Sequence, residues 1–300
     1  MKTAAFIAAL LLAQMCAPSR ASAGSLEQLP GSRTAPAAIP GAPAAARRKT
    51  DFAADVAQIM AIYAPKLAAE GVKLSFAEAH DGINGAWANR DSVSAVLGVN
   101  DGYYRNEKVT DDGFRMALCH EMGHIMGSAP RRPAPQEYNR QISNDGLMFE
   151  SAEGEADYYA SLKCMRVVLG NEDNVAFNRE HGVSKRVTDL CDVQFPDRRA
   201  SALCQRIAMA GANFLTSMAM QVPISFDTPS REVVERTVIN SLPPRQCRLD
   251  TLLAGALCTV DENVSMSHRD PAIGACTSKN DAAGARPACW FREQPLKKQK

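Results

Sequence analysis

The sequence predicts an α+β fold, mainly helical, with one small sheet and a disulfide-stabilised C-terminal part. Three observations lead there. Short apolar runs broken by Gly, Asn and Asp are confined to residues 72–104, apolar residues elsewhere recur at helical spacing, and eight of the nine cysteines follow residue 118. The chain has 300 residues, 46% of them hydrophobic and 22% charged, which suffices for a real core. Lys plus Arg number 34 against 33 Asp plus Glu, so no global field points to nucleic acid, an anionic membrane or an acidic substrate.

The N-terminus carries Lys2, an apolar run from Ala4 to about Leu12, and Ala21-Ser22-Ala23 ahead of Gly24. That is the layout of a secretory signal peptide over residues 1–23, and the run is too short for a membrane span. The mature chain is therefore expected in the periplasm or outside the cell, with no membrane span. Loss of Cys16 with the signal leaves eight cysteines, an even number that suggests disulfides in an exported chain. Short loops favour Cys191 with Cys204, Cys247 with Cys258 and Cys276 with Cys289, leaving Cys119 for Cys164. No CxxC occurs, which disfavours a structural zinc ribbon.

Residues 24–50 are rich in Ala, Pro and Gly and read as a linker or a short pro-segment. A folded domain is expected over residues 51–300. Its first helix is marked by Phe52, Val56, Ile59, Met60, Tyr63 and Leu67, up to Gly71. The runs VKLSF and SVSAVLGVNDGYY predict the sheet. Thr110 can cap a second helix whose first turn holds Asp111 and Asp112. After Gly127 the Pro-rich stretch to Phe149 predicts an irregular loop. Ser151 can cap a helix that Gly170 ends, Leu203, Ile207, Phe214 and Met218 stripe another, and Thr228-Pro229 can open the next. The part from Cys247 reads as loop-rich and ends in the basic LKKQK. No internal repeat is present.

The helix after Thr110 contains MALCHEMGHIMG, with His120, Glu121 and His124 at its centre. Residues four apart share a helix face, so His120 and His124 can offer two imidazoles to one metal, with Glu121 beside them as a general base. With only five histidines in the chain, chance matches to HExxH are rare. A catalytic zinc takes three protein ligands and leaves a position for water. The acids Glu150, Glu153, Glu155 and Asp157 follow on the next helix. Glu153 and Asp157 share a face while Glu155 points roughly opposite, so Glu153 is assigned to the metal and Asp157 to orienting a ligating histidine. Cys164 lies three turns past Glu153 on nearly the same face, where a disulfide to Cys119 would join the two metal-bearing helices. Tyr138, Tyr158 and His181 are candidate oxyanion donors by chemistry alone.

The combination CHEMGH, EGEADYYASLKC, QCRLDTLLAGALC and RPACWF resembles soluble, exported bacterial members of the gluzincin metalloproteases related to the CAAX prenyl proteases. In that family HExxH is completed by a glutamate in an E-x-x-A-D type segment, and NGAWAN is similar to the N-A-[FY]-A segment ahead of the edge strand. The resemblance spans about residues 77–291. It implies a zincin-like metalloprotease core holding one Zn2+ per chain, a protein or peptide substrate, and hydrolysis by a zinc-activated water. It also implies that the strand before the metal helix, in SAVLGVNDGYY, pairs with an extended substrate. The chain departs from the family's membrane members in the short 28-residue gap between His124 and Glu153 and in lacking their transmembrane segments. A catalytically inactive zinc-binding scaffold of the same fold is the alternative, and a disulfide-rich binding module with a coincidental HEMGH is a third.

Overall fold

Helix α1 (Phe52–Ala69) packs its stripe of Val56, Ile59, Tyr63 and Leu67 onto a three-stranded sheet. The strands β1 (Lys73–Ala79), β2 (Ala86–Arg90) and β3 (Ser94–Asn100) stand in the order β1-β3-β2. β3 runs parallel to β1 and antiparallel to β2, and Leu74, Ala95, Leu97 and Val99 enter the core. The protein is described by a computed structural model covering residues 52–134, 142–218 and 222–293, all within one compact unit. The expected signal peptide, the segment 24–50, Tyr138 and the basic tail lie outside these residues.

The long run expected to be strand stops at Asn100, and Asp101–Tyr104 forms a single helical turn, α2. Asp101 accepts from the Gly82 amide and the Asn100 side chain donates to Asp81, tying this turn to the preceding loop. β3 is also the central strand, flanked on both sides, so it has no free edge for a substrate; the edge on the side of the next helix is β2.

That helix, α3 (Asp111–Met126), is the axis of the molecule. Thr110 caps it by accepting from the Gly113 amide, and Gly127 ends it at φ 68°, in the left-handed region. Almost every residue from Asp112 to Ile125 is buried between the sheet and α8 (Arg198–Ser217). Asp112 does more than meet the helix dipole: it takes a two-pronged contact from Arg206 of α8 at 2.7 and 2.9 Å, while Arg115 reaches Asp55 of α1.

The stretch from Gly127 to Phe149, expected to be irregular, contributes to a two-stranded antiparallel sheet of β4 (Arg131–Pro133) and β5 (Leu147–Ser151). The prolines permit it because Pro130 precedes β4 and Pro133 ends it, where a missing N–H costs no ladder bond. Ser151 does not cap the next helix. It closes β5, with its hydroxyl given to the Ser128 carbonyl at 2.8 Å, and Ala152 precedes α4 (Glu153–Tyr159) without a side-chain cap. A π-helical turn, Ala160–Cys164, leads into α5 (Met165–Leu169), which stops at Gly170.

Helices α6 (Asn174–His181) and α7 (Lys185–Gln194) pack on α8. No helix opens at Thr228-Pro229. The amides of Ser225 and Ser230 are taken by Gln246 and Asp250 of α9 (Arg245–Leu257), and those of Val234 and Val238 by the Ala288 and Trp290 carbonyls, so this segment satisfies its backbone without coiling. Cys247, expected in a loop, lies inside α9; the loop-rich part begins at Cys258.

Among the described residues four disulfides form. Cys119–Cys164 and Cys191–Cys204 are as expected from the sequence. The C-terminal pairs are Cys247–Cys289 and Cys258–Cys276 instead of Cys247–Cys258 and Cys276–Cys289. Cys247 lies in the first turn of α9 and Cys258 just past its end, about 16 Å apart along its axis and far beyond disulfide reach. Four bridges fit an oxidising, extracytoplasmic compartment. Among the described residues no helix is long and apolar enough to cross a membrane.

Candidate metal centre

His120, Glu121 and His124 are buried on α3, and the first residue of α4 delivers Glu153 to the same point. The two helices meet so closely that a Cβ added to Gly123 would lie 2.7 Å from the Ala156 carbonyl oxygen. His120 Nε2 and His124 Nε2 are 3.2 Å apart, and Glu153 Oε2 stands 3.4 and 3.6 Å from them. These three residues could hold a metal ion.

Each imidazole presents Nε2 because its other nitrogen is engaged. His124 Nδ1 is 2.9 Å from the Ser151 carbonyl, which can only accept, so in the neutral ring the proton sits on Nδ1 and the lone pair on Nε2, facing His120 Nε2 and Arg132. His120 Nδ1 is 2.8 Å from Asp157 Oδ1, closer to an ion pair than to a linear hydrogen bond. Asp157 is fully buried one turn along α4 from Glu153, and Arg248 of α9 grips both its oxygens at 2.7 and 2.8 Å. Phe214 of α8 packs against His120 and lies under the Arg248 guanidinium. Glu155 faces away and pairs with Arg286 at 2.6 and 2.8 Å. The sequence-assigned acids thus separate: Glu153 and Asp157 face α3, and Glu155 faces the C-terminal segment.

Arg132 of β4 and Glu150 of β5 also border this centre, beyond the residues that the sequence motifs mark. Arg132 reaches Glu150 with one nitrogen, at 2.9 Å, and Glu153 Oε1 with the other, at 2.5 Å. The side chains of Arg132 and Glu153 keep 30% and 18% of their exposure, so the centre opens to solvent past them. Arg248 carried a faint sequence signal, an arginine among Cys247, Leu249 and Leu252; Arg132, in a Pro-rich stretch, carried none.

Burial would lower the His120 pKa, but Asp157, with Glu153 and Glu121, outweighs it and holds the imidazole up at about 9. Burial raises Glu121 against the pull of His120, His124 and Arg132. Burial also opposes ionisation of Glu153, yet the two histidines hold it well below the ordinary carboxylate range. Asp157 is likewise held low, with Arg248 overcoming its burial.

The other candidate donors are spent elsewhere. Tyr158 is buried, donates to the Gly284 carbonyl and accepts from the Cys276 amide. His181 stacks on Phe177 within α6 and contacts the Phe177 carbonyl. A second cluster of Cys258, Cys276 and Asp281 has metal-like spacing, but its two sulfurs form a disulfide. No protein-family model matches the chain, and neither a curated protein nor a solved structure does so.

Proposed function

We propose that the chain is an exported zinc-dependent metalloendopeptidase of gluzincin type with a zincin-like core, acting on protein or peptide substrates in the periplasm or outside the cell. The observation that carries this reading is the triangle of His120 Nε2, His124 Nε2 and Glu153 Oε2, with sides of 3.2, 3.4 and 3.6 Å. A tetrahedral zinc with bonds of about 2.0–2.2 Å requires ligand separations of about 3.3–3.6 Å. Charge agrees with size. With both imidazoles neutral, as ligation requires, four carboxylates around the triangle, Glu121, Glu150, Glu153 and Asp157, face two guanidinium groups, Arg132 and Arg248, and one divalent cation balances the difference.

His120, His124 and Glu153 would hold the ion, with Asp157 and the Ser151 carbonyl fixing the imidazoles. Bound there, zinc would supply Lewis acidity, activating a water and polarising the scissile carbonyl. Glu121 takes the proton of the attacking water on its carboxylate and returns it to the leaving amine nitrogen; its raised pKa moves it towards the range where one group does both. β2, the sheet edge beside α3, is where an extended chain could add up to its Arg90 end, whose amide Glu150 takes, and this favours unfolded segments as substrates.

The test compares wild type with Glu121→Gln, each lacking residues 1–23, for zinc per chain and for cleavage of unfolded casein. One zinc in both, with cleavage only by wild type, is expected, the loss being about 10²–10⁴-fold. One zinc and no cleavage in either would favour an inactive scaffold. No zinc in either would reduce HEMGH to coincidence.

A further inference from the structure

The two oxygens of Glu153 have different partners. Oε2 faces the imidazoles, whereas Oε1 receives the Arg132 guanidinium, which also lies 3.4 Å from His124 Nε2. A carboxylate beside a metal can bind through one oxygen or both, and the choice sets the coordination number. A charge-assisted hydrogen bond that commits one oxygen leaves only the other for the ion.

Arg132 is itself held from behind. Its second nitrogen is on Glu150, a buried acid whose other oxygen accepts the Arg90 amide. The Arg90 side chain is buried in turn, donating to the Ile125 carbonyl at the end of α3 and pairing with Glu70. The guanidinium therefore has a fixed seat in the fold, and Glu153 Oε1 meets it there.

We propose that Arg132 is a positioning residue that confines Glu153 to single-oxygen ligation, keeping the centre four-coordinate and favouring zinc over larger ions that draw on both carboxylate oxygens. This inference rests on the metal-centre reading above. Arg132 acts through Glu153 and holds no part of the ion.

The experiment loads wild type, Arg132→Lys, Arg132→Met and Glu150→Gln with Co2+ and records the visible d–d spectrum. Affinities for Zn2+ and Mn2+ are measured by chelator competition, with circular dichroism as the check on folding. Wild type is expected to show the intense band of four-coordinate Co2+. Arg132→Met should weaken that band towards the five-coordinate pattern, lose zinc affinity by about 10–100-fold, and lose less for Mn2+, so that the zinc preference shrinks. Arg132→Lys should recover part of the band, because an ammonium can still occupy Oε1, and Glu150→Gln should fall between it and wild type. An unchanged band and Zn2+/Mn2+ ratio in Arg132→Met overturns the proposal, as does an equal loss for both ions with the band intact. If Arg132→Met fails to fold, the same reading of Arg132→Lys and Glu150→Gln decides. A wild type that binds neither Co2+ nor Zn2+ removes the metal centre itself, whereas a wild type that binds both, with variants indistinguishable from it, removes only the role of Arg132.

Discussion

His120 must be neutral to bind a metal, yet in the metal-free chain its acidic neighbours keep it protonated up to about pH 9. Uptake of Zn2+ at pH 7 should therefore release about one proton. The measurement is calorimetric titration in buffers of different ionisation enthalpy; heats independent of the buffer would count against His120 as a ligand. The same shift has a stability consequence. A histidine raised on folding stabilises fully below its unfolded value of 6.5, and that contribution is lost as pH rises through about 9. The metal-free melting temperature should fall across that window, and Asp157→Asn, which removes the main charge behind the shift, should flatten the fall. Asp157→Asn should also cost roughly 10–100-fold in zinc affinity. His120 and His124 could be read as a pair because four residues make one helical turn, and Glu153 with Asp157 for the same reason. Arg132 and Arg248 could not, because each finds its carboxylate only after distant elements have packed.

Among the elements, α3 was legible from its cap, its first-turn acids and Gly127, all local signals. β4 and β5 were not, because their pairing depends on the hairpin closing beside α3 and runs against the proline content. Ser151 differs from its sequence pattern for a related reason: a serine before an acidic helix looks like a cap, but here its carbonyl is required by His124 and its hydroxyl by Ser128. The π-helical turn escaped periodicity because it adds a residue to one turn only. That turn ends at Cys164, whose sulfur crosses to Cys119, next to His120. Replacing both cysteines by serine should lower unfolding free energy by about 2–4 kcal/mol in denaturant titrations and weaken zinc binding in parallel. Unchanged zinc affinity would show that the bridge steadies the fold without steadying the site.

At the scale of the whole molecule, the α+β class and the central helix α3 followed from composition and pattern, whereas the seating of the C-terminal segment did not. Its cysteines could be counted but not paired, and nothing local announced that Arg286 and Trp290 come back to α4. Arg286 meets Glu155 in a fully buried ion pair, and Trp290 lies flat on Gly154, where a Cβ would come within 2.4 Å of its ring. Helix α4 is therefore clamped from both sides, by α3 on the Glu153 face and by the segment of Arg286 and Trp290 on the other. Glu155→Ala leaves the Arg286 charge without its partner and should cost about 3–5 kcal/mol of stability. The fraction that remains folded should still carry one zinc per chain, while folded Glu153→Ala should carry none. Equal zinc content in the two folded variants would contradict the division of labour between these acids.

The contact of Gly123 with Ala156 gives the HEMGH segment a further meaning. With no side chain between them, the two backbones themselves gauge the width of the ligand triangle, and the glycine serves as a spacer of zero thickness. An alanine at 123 would act as a shim, pushing Glu153 away from both imidazoles at once, and Glu153→Asp would fall short of the same point by one methylene. Both changes should weaken zinc binding through a single dimension, and neither should be rescued by strengthening any one ligand.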